Sequence, residues 1–156
     1  MNKRKIIILL IIVIIIFSTI VAINNIEVNK FKKEYESLNG KTSEDGKKYI
    51  YVKIPADNSI IYADYKQIFK LLDSTGVIYF GFPECPWCRN AVPILIEAAN
   101  ETGIEKIYYM NNLKDRDIKV LKNDNIITKK EGTNNYKKLL EKLSDKASIY
   151  EGLNDN

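Results

Sequence analysis

The chain has 156 residues, 24 of them basic and 20 acidic, and it contains no histidine. The mild net charge of +4 is spread along the sequence rather than gathered into a stripe, which argues against nucleic acid as a partner. The lack of histidine excludes Ser-His-Asp and Cys-His catalysis and every histidine-ligated metal site, and it turns attention to the two cysteines, Cys85 and Cys88.

Lys3, Arg4 and Lys5 precede an apolar run over residues 6–17, interrupted by Ser18 and Thr19 and resumed over 20–23. As a helix, residues 6–23 span about 27 Å, enough to cross a hydrocarbon core. A cleaved signal peptide is the rival reading. However, the run exceeds the usual ~7–15 residues and no A-x-A site follows it. No cysteine lies near it, which excludes a lipoprotein anchor. The expectation is a basic cytoplasmic tail over 1–5 and one uncleaved transmembrane anchor over 6–23. The N-terminus then stays in the cytoplasm. Residues 24–156 are placed outside the cell membrane, where disulfide chemistry is permitted.

Residues 24–48 read as a stalk, with Phe31, Tyr35 and Leu38 on one helical face. Asn39-Gly40 ends that helix and Asp45-Gly46 marks a turn. A domain over 49–156 follows. Its first strand is expected at 49–53, where beta formers alternate, with a short extension at 59–62. Tyr65, Ile68, Phe69 and Leu72 mark a helix, with Asp64 at its N-terminal end. Residues 77–82, apolar on both faces, read as a central strand. After them come Pro83-Glu84-Cys85-Pro86-Trp87-Cys88 and a long helix carrying Val92, Leu95, Ile96 and Ala99 on one face, with Gly103 as its cap. A third strand is expected at 106–110, a short helix at 115–122, and another helix through Tyr136, Leu139, Leu140 and Leu143 with Thr133 as N-cap. Alternating strands and helices predict a parallel α/β layout.

The cysteine pair is where the sequence speaks of chemistry. A thiolate is the nucleophile in disulfide exchange, and a helix N-terminus offers unpaired N–H groups and partial positive charge. Pro86 suits the first helical position, where a missing N–H costs nothing. The spacing returns Cys88 one turn later, within disulfide reach of Cys85. Cys85 is the expected attacking thiol and Cys88 the resolving one. Pro86 and Trp87 are the candidates for touching substrate, Trp87 as a flat rim or as a side chain partly packed on the domain. Glu84 reads as an exposed turn residue or a proton acceptor for Cys88. Arg89 reads as a solvated side chain or as a source of positive potential at the thiols. No metal is expected, since two thiolates without histidine do not complete four ligands.

The stretch FGFPECPWC, with Pro93 five residues past the second cysteine, resembles the thioredoxin superfamily over residues 49–123. More narrowly, GFPECPWCRNAVPIL resembles proteins of the bacteriocin transport accessory and bacteriocin maturation disulfide isomerase type. The resemblance implies a thioredoxin-like fold and dithiol–disulfide exchange at Cys85 and Cys88 with no cofactor, and Pro93 kinking the helix. It also implies exported protein or peptide substrates and a redox partner protein. Two departures stand out. Tyr79 occupies the position of a buried acid, six before the first cysteine, and no proline follows the motif helix, since the four are Pro55, Pro83, Pro86 and Pro93. The fold is therefore expected to be incomplete, lacking the cis-proline strand, the hairpin and the last helix, as in a truncated fragment or one completed by a partner. Two duller readings compete: a structural disulfide, although so short a loop restrains little, and a membrane-tethered accessory or binding module without catalysis.

Overall fold

A computed structural model describes residues 3–144. The chain divides into two compact units. One comprises residues 3–62 and 83–107, the other residues 63–82 and 108–144. Across the chain, β1, β3 and β2 are hydrogen-bonded neighbours in that order in a three-stranded sheet, while β4 and β5 form a separate pair. The strands are β1 (Ile60–Tyr62), β2 (Val77–Phe80), β3 (Ile107–Met110), β4 (Ile118–Lys122) and β5 (Asn125–Lys130).

The first unit is built on α1 (Lys3–Glu36), one unbroken helix with two different environments. Its stretch Lys3–Ile23 is long and apolar enough to cross a membrane, and none of it is buried against the rest of the chain. The two hydroxyls within it are satisfied locally: Ser18 donates to the Ile15 carbonyl (2.9 Å) and Thr19 to that of Ile16 (2.8 Å). The last turns of α1 belong to a folded core. Phe31 and Tyr35 are fully buried, with ring centroids 4.6 Å apart. The expected stalk therefore contains part of a folded core, and α1 packs against β1. The Tyr62 hydroxyl donates to Glu34, and Lys30 lies 4.1 Å from the Tyr62 ring centre. The helix gives way to a turn that closes at Gly40, in the left-handed region at φ 75°, and Gly46 closes the next turn by donating to the Ser43 carbonyl.

Residues 49–53 do not form the strand their alternation predicts; β1 is the later segment. The alternation itself is real, since Val52 and Ile54 are buried while Tyr51 is 73% exposed. What differs is the source of the backbone partners. Asn39 accepts from the Val52 N–H (3.0 Å) and donates to its carbonyl (2.7 Å). Glu36 accepts from the Ile54 N–H (2.8 Å), and Lys32 donates to the Ile54 carbonyl (2.7 Å). Side chains from the end of α1 and the turn after it thus do what a neighbouring strand would do.

Glu36 is the hinge of this arrangement. Burial raises its carboxyl pKa, but hydrogen bonds from Lys32 and the Ile54 N–H outweigh burial and hold it below its ordinary value. A depressed carboxylate contributes stability above its unfolded pKa and loses that contribution as pH falls through the folded one. Glu36→Gln should therefore be less stable than the parent at neutral pH, with the gap closing as pH falls below the ordinary carboxyl value of 4.5 and through the lowered folded one. Urea midpoints across that range check this; a gap independent of pH would contradict it.

The second unit holds α2 (Tyr65–Leu72), β2, most of β3, the β4–β5 pair and α4 (Asn134–Leu143). Asp64 caps α2 through a reciprocal capping box with Gln67. Thr133 caps α4 by accepting from the Tyr136 N–H. Ile68, Met110 and Leu139 form a core, with Phe69, Leu72 and Ile78 packed against it. Tyr79 stacks on Tyr109 at 5.6 Å between ring centres.

Three expectations are corrected here. Residues 115–122 are not a helix: only Leu113–Asp115 makes a 3₁₀ turn, and β4 then pairs antiparallel with β5. Asn123 and Asp124 join them with φ of 50° and 59°, the two positive values of a type I′ hairpin turn. A hairpin therefore does follow β3, against the expectation that it is lacking, while α4 is the helix predicted through Tyr136 and Leu143. No cis peptide bond occurs among the described residues. β2 is not central either, because it ends the strand order and its four residues are half-buried. An apolar strand reports covered faces rather than the number of strand neighbours. The polar tail over 145–156 lies outside the described residues.

Candidate redox site

The cysteines sit at the start of α3 (Pro86–Thr102). Cys85 is the N-cap, with extended backbone angles, and Pro86 takes the first helical position. Proline is preorganised for that position. The Cys85 sulfur accepts a hydrogen bond from the Cys88 N–H at 3.3 Å. One of the orphan donors of the helix is thus aimed at the thiol. Both cysteines are half-buried. Pro93 lies inside α3, where it removes one rung of the helical ladder. Gly103, in the left-handed region, ends the helix. The Ile104 N–H then reaches back to the Ala99 carbonyl at 2.8 Å, a Schellman closure.

Around the thiols, Pro86 and Glu84 are exposed and Trp87 is 81% exposed. Glu84 and Pro86 border a concavity of about 300 Å³ that Tyr49 and Ile50 also line. The four residues picked out by sequence, Cys85, Cys88, Pro86 and Trp87, are thus gathered in the N-cap and first turn of one helix. Among the described residues, no three His, Cys, Asp or Glu side chains come together as a metal site.

Arg89 is the residue that sequence reading misplaced. It is 1% exposed rather than solvated. Its Nε donates to the Ile50 carbonyl (2.5 Å). One terminal nitrogen donates to the carbonyls of Tyr35 (2.8 Å) and Pro83 (3.1 Å), and the other to the Asn39 side-chain oxygen (2.7 Å). Burial pulls its pKa down, while Tyr35, Tyr49 and Glu84 act in the other direction. The guanidinium stays charged at neutral pH. A signal for this lay in the sequence: Arg89, Val92, Ile96 and Ala99 share the buried face of α3, so position 89 continues the apolar stripe. Comparison with family models, curated proteins and solved structures finds no match for this chain.

Proposed function

We propose that the chain is a membrane-anchored, thioredoxin-like thiol–disulfide oxidoreductase acting outside the cytoplasm, with Cys85 and Cys88 as its redox pair. The observation that carries this reading is the Cys85 sulfur at the N-cap of α3, hydrogen-bonded by the Cys88 N–H. Two further features support it: the motif directly after β2 and the strand order β1–β3–β2. The basic residues before the apolar helix favour a cytoplasmic N-terminus, which leaves the cysteines where disulfides persist.

The exchange balances as follows. The Cys85 thiolate attacks one sulfur of a substrate disulfide. A Cys85–substrate disulfide forms and the other substrate sulfur leaves as a thiolate, which takes up a proton. Cys88, having lost its proton, then attacks the Cys85 sulfur. The internal disulfide forms and the second substrate sulfur leaves. The substrate gains two electrons and two protons, and the pair loses both. The reverse sequence oxidises a substrate dithiol. A partner dithiol or disulfide protein resets the pair. Trp87, exposed beside the thiols, supplies a flat surface for an extended exported chain.

Cys88→Ser should accumulate a covalent adduct with exported polypeptides in cells that dithiothreitol releases, because the resolving step is lost. The double variant with Cys85→Ser should accumulate none. An adduct that survives removal of Cys85, or the absence of any adduct, would count against the proposal.

A further inference from the structure

We infer that Arg89 is a positioning residue that locks the cysteine pair to the end of the membrane helix. The pair then acts at a fixed, short height above the bilayer, on polypeptide segments still anchored in or emerging from it. This rests on the exchange and anchor readings above and adds the class of substrate.

Helix α1 runs without a break from the membrane-length segment Lys3–Ile23 to Glu36. At ~1.5 Å per residue, Tyr35 lies about 18 Å beyond Ile23. There the Tyr35 carbonyl, the Asn39 side chain and the Pro83 carbonyl all accept from one guanidinium. Those three groups belong to the helix end, the turn after it and the loop leading into Cys85. The same residue is fixed to the thiol end of α3, because the Arg89 N–H donates to the Cys85 carbonyl at 3.0 Å. Arg89 is almost wholly buried, so water does not compete for these bonds.

Residues 24–36 contain neither glycine nor proline. A tether meant to let a domain search the surrounding solution would be flexible and rich in glycine or serine. A rigid arm does the opposite. It gives a high effective concentration to partners held at the same height and no advantage for partners that are free or held farther away.

The test uses the full chain carrying Cys88→Ser in phosphatidylglycerol–phosphatidylcholine nanodiscs. Its probes are three disulfide-bearing peptides. Two have their own transmembrane helix in the same disc, with rigid helical spacers holding the disulfide about 20 Å or about 60 Å above the surface; the third is soluble. The near peptide should be trapped at least about tenfold faster than the far one. Inserting a flexible Gly/Ser segment between Asn24 and Asn25 should bring the two rates within about threefold and leave the soluble rate unchanged. Arg89→Lys keeps the charge but loses the forked bonding, and it should narrow the near-to-far ratio in the same direction. Equal trapping of near and far peptides by the uninterrupted chain, or a ratio that the insertion leaves untouched, overturns the inference. If even the soluble peptide is never trapped, the exchange reading itself fails and this inference fails with it.

Discussion

Arg89→Ala should cost the folded chain about 3–5 kcal/mol, because it takes a donor away from four acceptors at once, two of them buried and two part-buried. The carbonyls of Tyr35, Ile50 and Pro83 and the Asn39 oxygen all take hydrogen bonds from this one side chain. Each buried acceptor left without a donor costs roughly 1–3 kcal/mol, and part of that is regained where the site relaxes or admits water. Domains of this size are stable by only about 5–15 kcal/mol, so the variant should lie close to unfolding. Arg89→Lys should recover part of the loss, since an ammonium donates to fewer of these groups at once. Trp87→Ala is the natural control. At 81% exposure it should change stability by no more than about 0.5 kcal/mol. Urea midpoints of the chain in detergent, read by near-ultraviolet circular dichroism, separate the three. An Arg89→Ala midpoint close to that of Trp87→Ala would mean the guanidinium contacts contribute little.

The largest effect on activity is expected from Cys85→Ser. A hydroxyl at the N-cap still accepts from the helix, so the fold should survive. Its oxygen, however, is not a nucleophile toward disulfide sulfur at neutral pH. Exchange with a peptide disulfide should fall to the uncatalysed rate. Cys88→Ser should keep the first attack and lose turnover, giving a single burst of about one released thiol per chain. Quenched-flow alkylation of the peptide thiols resolves the two patterns. Equal residual rates in both variants would mean that the two cysteines do not have separate roles.

The sequence was informative wherever local chemistry decides the outcome. The positions of Pro86, Gly103, Asp64 and Thr133 follow from capping rules that act within one helical turn, and the structure uses each as a cap or first-turn residue. The membrane-length helix follows from composition alone. Two of the differences, at 49–53 and at β2, share one physical cause: partners far away in sequence. Residues 49–53 alternate as a strand would, but Asn39, Glu36 and Lys32 satisfy the backbone at 52 and 54. Nothing local to 49–53 announces that. The apolar residues 77–80 say that both faces are covered but not that β2 ends the sheet order.

For 115–122 and Arg89 the signal lies in the sequence itself. Asn123-Asp124 between two runs rich in β-branched residues is a two-residue hairpin signal, and it outweighs the helical pattern of 115–122. Arg89, despite its charge, lies on the stripe with Val92, Ile96 and Ala99. A long side chain on a buried face reaches backbone carbonyls, and here it gathers α1, the 49–54 segment and the motif loop around the cysteines.

The central claim is that Cys85 and Cys88 form one working redox pair. Equilibrating the full chain in detergent against glutathione buffers, with the thiols read by alkylation, tests it most directly. The account expects both cysteines to change state together in a single reversible transition, with a two-electron slope of about 30 mV per tenfold change in ratio. Cysteines that respond independently, or that show no defined transition while the chain remains folded, would contradict it.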